Sequence, residues 1–394
     1  MWTTAAAAVL ALSVVEAGLR IADTRSEMAT AFRMDDERRG WALRPGFAGW
    51  VTAENKVWVQ INSDGLRDRE HRREKPAGTI RVAVLGDSYI QAVNVPIEKA
   101  FTSFLETRLA SCAQPLGRQA EVINFGVSGY GTAQELLTYR HHAAAYHPDI
   151  VVLAMYLGND IFNNSRELNE SDGHAVPYFV LRDGKLVADT REVEDTTAAT
   201  LPWYHRVRMS VTERFITAKL VYNGYALLRA PFVPLQVVEV APPSASEASD
   251  LVYQPEPGQA ADEAWRVTEA LVRELADEVA ANGSELWVVT LSTAEQVHPD
   301  LSVRRAFAQL VGVDSLFYPD HRIRDFAQAH GIPVVSLAEP LADYAATNHV
   351  FLNGGYNAEF PGGTGHWNET AHRLAAGLVG ERLCADSRAI AALK

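Results

Sequence analysis

From Thr79 onward, apolar runs of strand length alternate with segments of helix length, the pattern of a parallel sheet covered by helices on both faces. Five strands are predicted: TIRVAVLG (79–86), EVINFG (121–126), DIVVLAMY (149–156), ELWVVTLS (285–292) and PVVSLA (333–338). Helices are predicted over FTSFLETRLASC (101–112), AQELLTYRHHAAAYH (133–147), DEAWRVTEALVRELADEVAAN (262–282), HRIRDFAQAHG (321–331) and NETAHRLAAGLVGERLC (368–384). The third of these stops at Gly283, as helices commonly do at glycine. Upstream, VWVQINSDGLRD (57–68) alternates with period two and then turns at Asn62-Ser63-Asp64-Gly65, which predicts a short strand and turn at the domain edge.

The stretch Ile161–Asp262, between the third and fourth strands, is too long for a plain loop in a compact domain and reads as an insertion. Its Tyr178, Phe179, Trp203, Tyr204, Phe215, Tyr222, Tyr225 and Phe232 suit a cap over the C-terminal edge of the sheet, or else an insertion that buttresses the sheet or mediates self-association. Within it, the Pro/Ser/Ala/Glu-rich run Ala241–Ala261 reads as a flexible linker.

The first segment, Trp2–Ala22, carries only Glu16 and Arg20 as charges and has about the ~20 residues that span a bilayer as helix. Three readings stay open for it: a membrane anchor, a cleaved signal with Val15-Glu16-Ala17 near the cut, or an amphipathic helix packed on the domain. Arg20, Arg25 and Arg33 on its far side, taken literally, would leave the rest of the chain cytoplasmic, so orientation is open as well. The expected organisation is a hydrophobic helix over 1–22, an extension over 23–78, and a main domain over 79–394 that contains the insertion 161–262.

Composition narrows the partners. Hydrophobic residues make up 47% of the 394, enough to fill a large core, and the formal net charge is -13. No basic footprint of the kind that neutralises phosphates is present, so nucleic acid is not an expected partner. Cys112 and Cys384 lack a metal or redox spacing and could pair or stay free. No cluster reads as a metal site, no motif calls for a cofactor, and His372, six residues after His366, reads as a packing residue.

Chemistry enters where the strands end. Gly86-Asp87-Ser88-Tyr89 follows the first parallel strand directly, which sets a serine at the sheet's C-terminal edge before a helix. A lone GDS is weak, because such turns use Gly, Asp and Ser for capping alone. The second strand runs into Gly126-Val127-Ser128-Gly129-Tyr130-Gly131, which can offer an unobstructed backbone N–H, and the third into Gly158-Asn159-Asp160, which brings an amide side chain to the same edge. Gly365-His366-Trp367-Asn368, before the last helix, supplies a base. Nucleophile, two donors and base thus converge on one crevice.

In this order and spacing, GDSY, GVSGYG, GND and GHWNETAH resemble the four blocks of the SGNH (GDSL-like) hydrolase family, over Thr79 to the C-terminus without the insertion. With the N-terminal helix and Asn62-Ser63-Asp64-Gly65-Leu66-Arg67, the chain resembles a membrane-anchored bacterial subgroup. The resemblance implies a flavodoxin-like three-layer α/β/α sandwich with strand order 2-1-3-4-5 and esterase chemistry on a small-molecule or glycan ester. It implies Ser88 as nucleophile, His366 as general base, and the Ser88 N–H, the Gly129 N–H and the Asn159 side chain as oxyanion donors.

One part of the pattern is missing. The family carries a carboxylate three residues before the histidine, where this chain has Gly363. Glu359, the Asn368 side chain or a backbone carbonyl is left to orient His366, with Glu359 the first carboxylate candidate. The gap keeps two other functions in view: O-acetyl transfer onto a glycan by the same groups, and a membrane-tethered binding or scaffold protein without catalysis. The corresponding location is membrane-anchored or exported.

Overall fold

A computed structural model describes residues 32–169, 176–189 and 249–392, together with Ser13 and Glu16. Apart from those two residues, they belong to one compact unit, Phe32–Asp189 with Ala245–Lys394. Four short strands come first: β1 (Arg33–Asp36) pairs antiparallel with β2 (Gly40–Leu43), and β3 (Ala48–Val51) with β4 (Val57–Gln60). Then follow β5 (Thr79–Gly86), β6 (Gln119–Asn124), β7 (Ile150–Tyr156), the hairpin β8 (Phe179–Arg182) and β9 (Lys185–Ala188), β10 (Glu285–Leu291) and β11 (Val334–Ser336). The helices used below are α1 (Ser88–Gln91), α2 (Phe101–Ala113), α3 (Thr132–His141), α4 (Asp160–Asn163), α5 (Gln259–Ala281), α6 (Leu301–Val311), α7 (Tyr318–Ala329), α8 (Ala338–Asn348) and α9 (Glu369–Asp386).

The main sheet runs β6-β5-β7-β10-β11 with every pair parallel, which is the predicted order 2-1-3-4-5. Its strands are apolar along their length because both faces are covered. Ala83 and Leu85 of β5 face the core formed with α3, α5 and α7, through Leu136, Trp265, Leu271 and Ile323. Val82 and Val84 face the opposite core, with Phe101 and Leu105 of α2, Leu341 of α8 and Ala375 and Val379 of α9. The α/β/α sandwich follows directly from that alternation.

A third core belongs to the extension. Phe32, Trp41, Leu43, Val51, Val57, Val59 and Ile61 pack with Val127 and Tyr130 from the β6–α3 turn, so the two N-terminal hairpins seat on the loop that carries Gly129. After β4 the predicted turn forms, with Asn62 Oδ1 accepting the N–H groups of Asp64 at 3.0 Å and Leu66 at 2.9 Å.

Of the insertion's aromatic residues, Tyr178 and Phe179 are buried. Trp203, Tyr204, Phe215, Tyr222, Tyr225 and Phe232 lie outside the described residues, as does the hydrophobic N-terminal segment apart from Ser13 and Glu16. No helix among the described residues is long and apolar enough to cross a membrane. The linker expected over Ala241–Ala261 needs correction where it is described. Ser249–Tyr253 forms a 3-10 turn and α5 begins at Gln259, because Val252 and Tyr253 are apolar enough to join the α5 side of the core.

The alternative left open for the cysteines closes. Cys112 in α2 and Cys384 in α9 form a disulfide with Cα atoms 6.0 Å apart, bridging a sequence separation of 272. It ties α9, the helix that follows His366, to α2 within the same helical layer.

Candidate active site

Ser88 opens α1 directly after β5. Asp87 caps that short helix, accepting the Tyr89 N–H at 2.9 Å. The turn after α1 is held by Arg67, whose fully buried guanidinium donates to the carbonyls of Gln91 (2.7 Å), Ala92 (2.7 Å) and Val95 (2.6 Å). Burial lowers the Arg67 pKa to about 10, and the cation stays charged at neutral pH.

His366 reaches the serine from the far end of the chain. Its backbone is pinned on both sides: Asn353 Nδ2 donates to the Gly365 carbonyl at 2.9 Å, Gly354 N–H to the His366 carbonyl at 3.0 Å, and Asn94 Nδ2 to the Trp367 carbonyl at 2.8 Å. The Tyr89 ring packs 4.9 Å from the imidazole. So held, His366 Nε2 lies 2.7 Å from Ser88 Oγ.

The other ring nitrogen corrects the sequence expectation. Nδ1 of His366 is hydrogen-bonded to Glu54 Oε1, and Glu54 Oε2 accepts the His366 backbone N–H at 3.1 Å. Glu359 is an exposed loop residue whose backbone N–H donates to Asn357 Oδ1 at 2.8 Å; that local turn carries it along the loop instead of toward the imidazole. Asn368 is used elsewhere, its Oδ1 capping α9 and its Nδ2 donating to the Phe351 carbonyl at 2.9 Å.

Glu54 sits in the loop between β3 and β4, a segment in which the sequence showed no chemistry. Val51 and Val57 anchor the hairpin in the extension's core, Asn55 Nδ2 donates to the Asn94 carbonyl at 3.0 Å, and Asn357 Nδ2 donates to the Glu54 carbonyl at 2.7 Å. No local motif marks it: its partner is 312 residues away, and a glutamate in a hairpin turn is ordinary solvated chemistry.

The electrostatics follow from these contacts. Burial pulls the His366 pKa down, but the hydrogen-bonded Glu54 carboxylate and then the charge of Asp87 outweigh it, and the net shift is upward. A carboxylate at Nδ1 fixes the proton there and leaves the Nε2 lone pair to the serine hydroxyl. Asp87 is itself pushed up by burial, partly offset by the Tyr89 N–H and the nearby His366. Glu135 is driven well above the usual carboxylate range by burial and then by the charge of Asp87, and Asp160 by burial and then by the charges of Glu135 and Asp87.

Gly129 lies in the β6–α3 turn at φ +81°, a conformation that favours glycine, and Asn159 lies three residues past β7, at the start of α4, with Nδ2 3.5 Å from Asp87 Oδ2. Among the described residues, neither the Ser88 N–H nor the Gly129 N–H has an acceptor in hydrogen-bond reach. A cleft of about 70 Å³ beside the serine is lined by Val51, Ala53, Val93, Asn94 and Ser128 along with Glu54, Asn55 and His366. Among the described residues, no group of three or more His, Cys, Asp or Glu side chains is arranged to hold a metal ion.

No protein-family model and no curated protein matches the chain. Solved structures similar to it include an acetyl xylan esterase, AlAXEase, at 12% identity and a TM-score of 0.37, covering 77% of this chain and all of that one. A catalytic mutant of an acetylxylan esterase from Geobacillus stearothermophilus is similar at 11% identity and a TM-score of 0.38, over 77% of this chain and 94% of that one. A putative lipolytic protein of the G-D-S-L family from Desulfitobacterium hafniense is similar at 10% identity and a TM-score of 0.33, over 77% and 98%. At identities this low, the site's own geometry has to carry the chemistry.

Proposed function

We propose that the chain is a serine ester hydrolase of the SGNH type, working through a Ser88–His366–Glu54 triad. The observation that carries this is the position of the His366 ring, with Nε2 2.7 Å from Ser88 Oγ and Nδ1 on the Glu54 carboxylate. His366 takes the Ser88 proton as Oγ attacks the ester carbonyl, and the imidazolium so formed is stabilised by Glu54. The tetrahedral oxyanion is received by the Ser88 and Gly129 N–H groups and by Asn159 Nδ2. His366 then protonates the departing alcohol. A water, deprotonated by the same Nε2, attacks the acyl-serine to release the acid and regenerate Ser88.

The small cleft beside Ser88 supports a short acyl group, on the scale of acetyl, since drug-sized ligands occupy roughly 300 Å³ or more. The Cys112–Cys384 bridge favours residence in an oxidising compartment outside the cytoplasm, against the literal reading of the arginines that follow the N-terminal segment. Labelling with a fluorophosphonate and locating the adduct tests the central reading: an adduct on Ser88, lost in Ser88→Ala, is expected, and an unlabelled chain refutes it. Product analysis of an acetyl ester with and without an acceptor glycan then separates hydrolysis from acyl transfer.

A further inference from the structure

The N-terminal hairpins contribute more than Glu54. Arg33 of β1 and Trp41 of β2 both donate to a single acceptor, the Ser128 carbonyl, from Arg33 Nη2 at 3.0 Å and from Trp41 Nε1 at 3.2 Å. From the other side Gln91, fully buried in α1, accepts the Ser128 backbone N–H at 2.7 Å and also the Ser128 hydroxyl. Trp41 is in turn fixed by Tyr130, whose hydroxyl donates to the Trp41 carbonyl and whose ring lies 5.6 Å away, while the Arg33 guanidinium lies 5.4 Å over the indole.

The carbonyl of Ser128 and the N–H of Gly129 are opposite ends of one planar trans peptide, so they point in opposite directions. Gripping the carbonyl therefore aims the N–H. A charged donor on the oxygen also draws electron density along the peptide and makes its N–H a better donor, as linked hydrogen bonds polarise one another. Trp41 additionally closes the space above Gly129: a Cβ there would stand 3.3 Å from Trp41 Cζ2.

We infer that Arg33 and Trp41 are positioning residues of the oxyanion hole, locking and polarising the Ser128–Gly129 peptide from the N-terminal extension. This rests on the serine hydrolase reading and on Gly129 as an oxyanion donor. The extension thus serves both halves of the reaction, the proton transfer through Glu54 and the charge stabilisation through this peptide.

The test uses the full chain and the variants Arg33→Gln, Arg33→Lys and Trp41→Phe, with kcat and KM on p-nitrophenyl acetate. It adds the Ki of an aryl trifluoromethyl ketone, whose hemiketal oxyanion on Ser88 stands in for the tetrahedral intermediate. Loss of a whole oxyanion donor costs roughly 100- to 1,000-fold in kcat, which sets the ceiling. Within it, Arg33→Gln is expected to lower kcat roughly ten-fold and weaken the ketone by the same factor, since the donor is loosened and not removed. KM and the acid limb of the pH profile should stay in place, and Arg33→Lys should recover most of the loss. Trp41 is a core residue whose loss could disturb folding; the half-buried Arg33 keeps the test decisive. Wild-type kcat and Ki in Arg33→Gln overturn the inference while leaving the hydrolase reading intact, and so does a kcat loss without a matching change in ketone affinity. A wild-type chain that takes no fluorophosphonate at Ser88 removes both.

Discussion

Glu54 and His366 stand 312 residues apart in the sequence, yet the carboxylate meets both the Nδ1 and the backbone N–H of the histidine. The acid that the SGNH resemblance puts three residues before the histidine comes here from a hairpin at the other end of the compact unit. Gripping the backbone as well as the ring fixes the imidazole's place and its tautomer together, which a carbonyl or amide at Nδ1 alone does not do.

Glu54→Gln tests that arrangement. An amide cannot stabilise the imidazolium and can favour the wrong tautomer, a change that lowers kcat by roughly 1,000- to 10,000-fold in enzymes with this kind of triad. The same drop is expected here with KM little changed, and Glu359→Ala should remain within about two-fold of wild type, as surface changes away from the site usually do. Steady-state kinetics on a short aryl ester, with thermal melts to confirm folding, decide it; equal losses in the two variants would reject Glu54 as the third member.

The pH dependence has a definite sign. His366 acts as a base only when neutral, and its pKa is raised by Glu54 and Asp87 against the opposing effect of burial. Activity is therefore lost as pH falls through that raised value, and the acid limb of kcat/KM is shifted upward from the ordinary histidine value. Removing the Glu54 charge should move the limb to lower pH even as the plateau falls. A limb that stays put in Glu54→Gln would mean another group controls it.

Asn159→Ala is expected to reduce kcat by roughly 100-fold or more with little effect on the melting temperature, because among the described residues the side chain is held by one long hydrogen bond, to Asp87 at 3.5 Å. A variant that melts far below wild type would instead make Asn159 a structural residue, so kinetics and melting need to be measured together.

Much of this was legible in the chain. The strands β5, β7 and β10 announce themselves because a sheet covered on both faces has to be apolar at every position, and their order follows from the family resemblance. Ser88, Gly129, Asn159 and His366 stand out because their positions follow strand ends or precede a helix, and local spacing carries that information. Glu54, Arg33 and Trp41 were beyond local reading: their partners lie 312, 95 and 87 residues away. Arg33 counted only as a charge flanking the hydrophobic segment, whereas its guanidinium reaches the Ser128 carbonyl. The helices α6 and α8 were not foreseen either; α6 buries only Phe307 and Val311, too narrow a stripe to separate from a loop.

The disulfide should hold the molecule together more than it shapes the site. Closing a loop of this length restricts the unfolded chain, and loss of such a bridge typically costs about 2–5 kcal/mol. Cys112→Ser with Cys384→Ser is expected to lower the melting temperature by several degrees while kcat at low temperature stays near wild type, since His366 is also pinned by Asn353, Asn94 and Gly354. Differential scanning calorimetry with and without reductant checks it. An unchanged melting temperature would show that the bridge contributes nothing to stability.

Restoring the carboxylate at position 363 should fail. In a Glu54→Gln background, Gly363→Asp supplies the acid at the spacing of the family pattern, and motif logic alone predicts rescue. The backbone there has φ +90°, which a side chain adopts only with strain, and a Cβ would stand 3.1 Å from Phe351 Cε1 and 3.3 Å from His298 Cδ2. The loop has therefore taken a path in which residue 363 is not a source of the acid, and the hairpin carrying Glu54 occupies the Nδ1 side of the ring. The double variant is expected to be no more active than Glu54→Gln and to melt lower. If kcat instead returned toward wild type, the loop would have to be able to adopt the family's path, and the dependence of this site on its N-terminal extension would be a matter of the present sequence alone.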